Sequence, residues 1–248
     1  MILEKLFRSR GVRFIKKSFA GYGKSFAKVK IYYEPDFSIL KCHRLSEMMN
    51  KGILEYFEYS ENESGNIDTF NFHNNLNIQS DEIYQDLSVE QLQILKKVPY
   101  FFDQTFLNYT IGYKVDEEKI IGKNYYFYPT IKKENGYGIK GITERTIIEK
   151  YIGRFAYEIG INDMESEDEI KAFSGMIYKF KGISIAFTIN KLVEYKIYGR
   201  ILSCDIYKFL SDKVEIDSDS LEKFGDVVLV AQRIRNKCVV GYNLYYLS

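Results

Sequence analysis

Three Lys-x-Tyr triplets stand out as residues able to do chemistry: Lys30-Ile31-Tyr32, Lys123-Asn124-Tyr125 and Lys196-Ile197-Tyr198. The end of the chain adds Lys237 and the Tyr-rich run Tyr242-Asn243-Leu244-Tyr245-Tyr246. On a strand, residues i and i+2 point to the same side, so the second and third triplets set an ammonium beside a phenol. An ammonium is a compact donor to phosphate oxygens. A phenol hydrogen-bonds phosphate, and its ring face attracts and shields a cation. Together they suit a phosphate-bearing ligand that develops positive charge on carbon. With 22 Tyr and 35 Lys plus Arg in 248 residues, the triplets only modestly exceed chance and do not define a site alone.

Other site chemistries are poorly supported. His43 and His73 are the only histidines, and neither sits in a G-x-S-x-G or H-E-x-x-H setting, so both read as turn or surface residues. Gly21-Tyr22-Gly23-Lys24-Ser25 lacks P-loop spacing and a preceding strand, and reads as a glycine turn. The acidic run 163–169 reads as a solvated loop. Cys42, Cys204 and Cys238 are odd in number, widely spaced and without a C-x-x-C, which argues against a disulfide framework or zinc site and for a reducing compartment.

Lys plus Arg (35) and Asp plus Glu (34) nearly cancel, so no global field draws nucleic acid or an anionic membrane. Any phosphate site must be a local cluster of cations. No run reaches the roughly 18 apolar residues of a membrane span. Residues 1–17 mix apolar and basic side chains without a signal-peptide core, and read as a first helix with a solvated basic face.

The elements that would position the Lys and Tyr residues come as pairs of β-branched and aromatic runs across short polar turns. The pairs are 53–60 with 67–73, 105–115 with 120–128 closed by Pro129, 182–189 with 192–200, and 227–234 with 238–247. Helical periodicity fills 36–49, 80–97, 143–159, 167–179 and 206–224. The second-last pair carries a face pattern: Ser184, Ala186, Thr188, Glu194, Lys196, Tyr198 and Arg200 on one side, Ile183, Ile185 and Phe187 on the other. The apolar side is expected under helices. The polar side faces either an enclosed, wet interior or open solvent. The fold class expected is α+β, one domain over 1–248, with repeated helix–β-hairpin units and antiparallel strands in a barrel or a strongly curved sheet.

Gly122-Lys123-Asn124-Tyr125-Tyr126-Phe127-Tyr128-Pro129-Thr130 resembles the Lys-Thr-Tyr-x-Phe-Phe-Pro-Thr strand of the ABBA, or PT-barrel, aromatic prenyltransferases of the soluble bacterial kind. Lys30-Ile31-Tyr32 is similar to that family's Lys-Ile-Tyr segment. Residues 61–72, 190–200 and 237–248 resemble its first, a later and its closing hairpin elements, in a short four-hairpin variant. The resemblance covers about 28–248 in element order.

The resemblance implies a barrel ringed by helices, in which a prenyl group passes from an allylic diphosphate (dimethylallyl or geranyl) to an aromatic small-molecule or peptide acceptor. Diphosphate binding would fall to Lys123, Lys196, Lys191, Arg233 and Lys237, and the prenyl and acceptor space to Tyr125, Tyr198 and Tyr242. No cofactor is obligatory; Mg²⁺ is an option through Asp68. Without an Asp-Asp-x-x-Asp motif, the metal-dependent helical isoprenoid synthases are not supported. The remaining expectations are a cytoplasmic protein with no nucleic-acid partner and no transmembrane segment. The competing reading is a non-catalytic ligand- or protein-binding domain on a related hairpin–helix scaffold.

Overall fold

A computed structural model describes residues 13–21, 54–61, 67–74, 87–102, 107–116, 119–133, 136–139, 141–188, 193–211 and 226–247. The chain is α+β. Strand β1 (Arg13–Gly21) precedes the hairpin β2 (Leu54–Glu61) and β3 (Ile67–Asn74). Helix α1 (Val89–Phe101) leads into β4 (Leu107–Asp116), β5 (Lys119–Lys133) and the short β6 (Gly136–Ile139). Helices α2 (Arg145–Glu158) and α3 (Met164–Met176) precede β7 (Lys179–Thr188) and β8 (Val193–Leu202). Helix α4 (Ser203–Ser211) precedes β9 (Val227–Arg235) and β10 (Cys238–Leu247).

The strands lie in the order β4-β3-β2-β1-β10-β9-β8-β7-β5-β6, and β4 also pairs with β5. Nine strands are thus paired on both sides, and their ladders run in a ring, while β6 joins only the far half of β5. All these pairings are antiparallel except β1 with β10, which is parallel, with Arg13 opposite Asn243.

Four expectations are corrected. Residues 13–17 form the start of a strand, not the end of a basic helix. Arg13-Phe14-Ile15-Lys16-Lys17-Ser18-Phe19 is rich in aromatic and β-branched residues, and it has two ladder partners in β2 and β10. That strand ends at Gly21, so a strand does precede the Gly21–Ser25 segment. The second expected strand does not stop at Pro129. Pro129 is the last β5 residue opposite β4, so its missing N–H interrupts no ladder interior, and Thr130 continues opposite Ile139 of β6. The acidic run 163–169 is not a loop but the start of α3, where Asp163 Oδ1 accepts the Ser166 N–H at 2.7 Å as an N-cap. Residues 36–49 and 212–224, expected as helical, lie outside the described residues.

One face of β5 and β7–β10 is apolar and carries the described helices. Ile148, Tyr151, Ile152 and Phe155 repeat at helical spacing along α2 and are buried with Ile183, Ile185, Phe187, Ile197 and Ile201 of β7 and β8. Edge-to-face contacts hold the helices together and to the sheet: Phe102, just past α1, to Tyr151 of α2 at 5.3 Å, and Phe155 of α2 to Tyr195 of β8 at 5.7 Å. Each such ring removed from water is worth about 2–3 kcal/mol. Ile183, Ile185 and Phe187 therefore lie under helices, as their alternation predicts. Close approach between strands also fixes one glycine: a Cβ on Gly182 would stand 2.1 Å from the Phe127 carbonyl oxygen, and its φ is +137°.

Candidate anion-binding site

Among the described residues, the opposite face of β5 and β7–β10 carries no helix, yet several of its polar side chains are buried. Ser184 is 1% exposed, Asn243 2% and Arg233 4%, although all are polar. This buried polar face is turned away from the described helices, toward the inside of the ring that the ladders trace. The register sets them in rows across the ring. Tyr126, Ser184, Lys196, Arg233 and Gly241 lie opposite one another in turn, and Tyr198, Ala231 and Asn243 form the next row.

Glu194 anchors a cation group within this interior. Its carboxylate oxygens lie 3.4 Å from Lys196 Nζ, 3.4 Å from an Arg233 guanidinium nitrogen and 2.8 Å from one of Arg235. Burial alone would raise the Glu194 carboxyl. Lys196, Arg233 and then Arg235 overcome that penalty and hold it at about 2, against an ordinary 4.5. Glu194 is thus ionised at any physiological pH. Lys196 and Arg235 share this one carboxylate, so among the described residues the group keeps positive charge in surplus. Arg235 Nε is buried without a hydrogen-bond partner among those residues. A largely buried cation is costly unless an anion joins it, and here that cation is Lys196, since the Arg235 side chain is 36% exposed.

A phenol group adjoins the cations. Tyr198 lies 5.9 Å from Tyr126 and 6.0 Å from Tyr245, both rings tilted against it, next to the small Ala231. Ser184 joins the two groups: it faces Lys196 across the ladder, and its hydroxyl is 3.3 Å from the Tyr198 hydroxyl. Burial, followed by the Tyr245 and Tyr126 phenols, raises Tyr198 well above its ordinary value, so it stays a neutral phenol. Asn243 donates to the Tyr245 hydroxyl at 3.1 Å, while its Oδ1 is buried without a partner among the described residues. The interior thus offers anion donors, ring faces and an amide oxygen awaiting a donor.

The expected site residues divide sharply. Lys196, Arg233 and Tyr198 come together in the interior. Lys123 and Tyr125 do not join them. They lie opposite Phe187 and Ile185 on the helix-facing side, where Tyr125 packs 5.9 Å from Phe187. Lys123 and Lys196 occupy opposite faces of the sheet, so no single phosphate site holds both. Tyr242 is also helix-facing: its hydroxyl donates to Glu169 of α3 at 2.6 Å and its ring meets Phe173. Lys237 is exposed in the two-residue β9–β10 turn, where Asn236 and Lys237 both have positive φ. Its side chain lies over Gly160 at the C-terminus of α2, a favourable place for a cation. Lys191 and the Lys30 triplet lie outside the described residues, as does the side chain of Asp68. Sequence reasoning passes over Glu194, Arg235, Ser184, Tyr126, Asn243 and Tyr245 as site residues; alternation from Lys196 places Glu194 and from Arg233 places Arg235, while the ladder register places the other four.

No protein-family model matches this chain, and no curated protein matches it in sequence. Among the described residues, no helix is long and apolar enough to cross a membrane.

Proposed function

We propose that the strand ring is a shortened prenyltransferase-type barrel and that its interior transfers a prenyl group from an allylic diphosphate to an aromatic acceptor. The observation that carries this reading is the buried cation group around Glu194 set directly beside three clustered phenols. Lys196, Arg233 and Arg235 would hold the diphosphate. As the allylic C–O bond breaks, both bonding electrons leave with the diphosphate, and fixed cations stabilise that charge more than they stabilise the intact donor. The Tyr126, Tyr198 and Tyr245 faces would shelter the allylic cation, a contact worth about 2 kcal/mol in a desolvated site. A nucleophilic carbon or oxygen of the acceptor then forms the new bond and gives up its proton to solvent.

The test is a transfer assay with labelled dimethylallyl and geranyl diphosphate over a panel of phenols and indoles. The expected result is prenylated product that falls about 10²–10³-fold in Lys196→Ala, in line with removing one preorganised electrostatic contact. A wild type that makes no product yet binds a diphosphate would point instead to a non-catalytic binding domain.

A further inference from the structure

A second group of cations lies further along the same face, on β7 and β8. Glu194, Lys196, Tyr198 and Arg200 alternate with Tyr195, Ile197 and Ile201, which pack with the helix-side core. Arg200 therefore shares the face of Lys196, four residues and about 13 Å further along β8. Across the ladder Arg200 is paired with Lys179, so two like charges stand directly opposite, an arrangement that destabilises a sheet unless something offsets it. Between Phe180 and Gly182 the β7 ladder is irregular, and Lys181 is the residue left without a partner in β8. Lys181 is half-buried, and burial, then the charges of Arg200 and Lys179, lower its ammonium below its ordinary value. Among the described residues none of the three has a carboxylate partner, in contrast to the group around Glu194. Tyr198 stands between the two groups, with Tyr126 and Tyr245 against it.

We infer that Lys179, Lys181 and Arg200 form a second anion site, which holds the carboxylate of an aromatic acid whose ring lies among Tyr126, Tyr198 and Tyr245. The inference rests on the reading of the interior as a ligand site and adds to it the chemical class of the acceptor. A bulge beside paired cations re-aims one more cation toward the same point, as bulges near binding sites do. An acid anchored there leaves its ring beside the phenols and its far edge toward Lys196, where the donor's charge would lie.

The test is calorimetric titration with 4-hydroxyphenylacetate, its neutral methyl ester and inorganic diphosphate, each probe separately. Wild type is expected to bind the acid at least about 10-fold more tightly than the ester, the size of one charge-assisted hydrogen bond. Lys181→Met and Arg200→Ala should bring that ratio near one and leave inorganic diphosphate affinity within about twofold. Lys181→Arg should keep the preference, which separates charge from packing, and melting curves check that each variant folds. Equal binding of acid and ester by the wild type overturns the inference. So does a loss of diphosphate affinity in the two variants as large as the loss for the acid. A preference for the acid without any binding of diphosphate would sink the prenyl-transfer reading and leave the second anion site standing.

Discussion

Replacing Glu194 with Gln should destabilise the folded protein strongly at neutral pH and hardly at all in acid. The carboxyl is held at about 2 in the folded state against 4.5 when free. At about 1.4 kcal/mol per pKa unit, that difference corresponds to about 3 kcal/mol of stability. Because the folded value is the lower one, the contribution is fully present above about pH 4.5, where the unfolded chain is already ionised. It falls away as the pH drops through the folded value near 2. Loss of the carboxylate also takes from Lys196 and the partly exposed Arg235 the partner they share. Urea unfolding of wild type and Glu194→Gln at pH 7, 5 and 3 measures this. The expected difference is about 3 kcal/mol at pH 7 and pH 5, and smaller at pH 3. A difference below about 0.5 kcal/mol at pH 7, or one that stays constant from pH 7 to 3, would refute the buried ion group as the source.

Lys123→Ala should leave inorganic diphosphate affinity within about twofold, because Lys123 faces the helices, while lowering stability by about 1–3 kcal/mol in urea unfolding. Gly182→Ala should cost about 3 kcal/mol or more in thermal unfolding, since its φ of +137° and the Phe127 carbonyl both exclude a Cβ. Tyr242→Phe keeps the ring on Phe173 but removes the donor to Glu169, for an expected loss of about 1–2 kcal/mol with no change in ligand titrations.

What the sequence made legible depended on contrast between neighbouring residues. In β8, polar Glu194, Lys196, Tyr198 and Arg200 alternate with Tyr195, Ile197, Gly199 and Ile201, so the faces separate on inspection. The third and fourth hairpins, and the helix-facing side of β7, follow from that kind of pattern. In β5 the run Tyr125-Tyr126-Phe127-Tyr128 is aromatic on both faces, and Lys123-Asn124 ahead of it is polar on both. Nothing local tells which side meets the helices; the pairing with Phe187 and Ile185 decides it. The parallel β1–β10 pairing was hidden for a related reason. Two strands at opposite ends of the chain meet only through tertiary closure, and the basic residues of β1 mask its strand character. A carboxylate is out of pattern in a phosphate site, so the sequence does not mark Glu194 as a site residue. Its place is fixed by Arg235 and Arg233, which come from a different hairpin.

The central claim is that the cations around Glu194 receive a diphosphate inside the strand ring. Calorimetric titration of the wild type and Lys196→Ala with dimethylallyl thiodiphosphate, an unreactive analogue of the donor, tests it most directly. The account predicts saturable binding by the wild type, weakened about 10–100-fold in Lys196→Ala, the loss of one charge-assisted contact. No heat of binding with the wild type, or equal affinity in the variant, would contradict it.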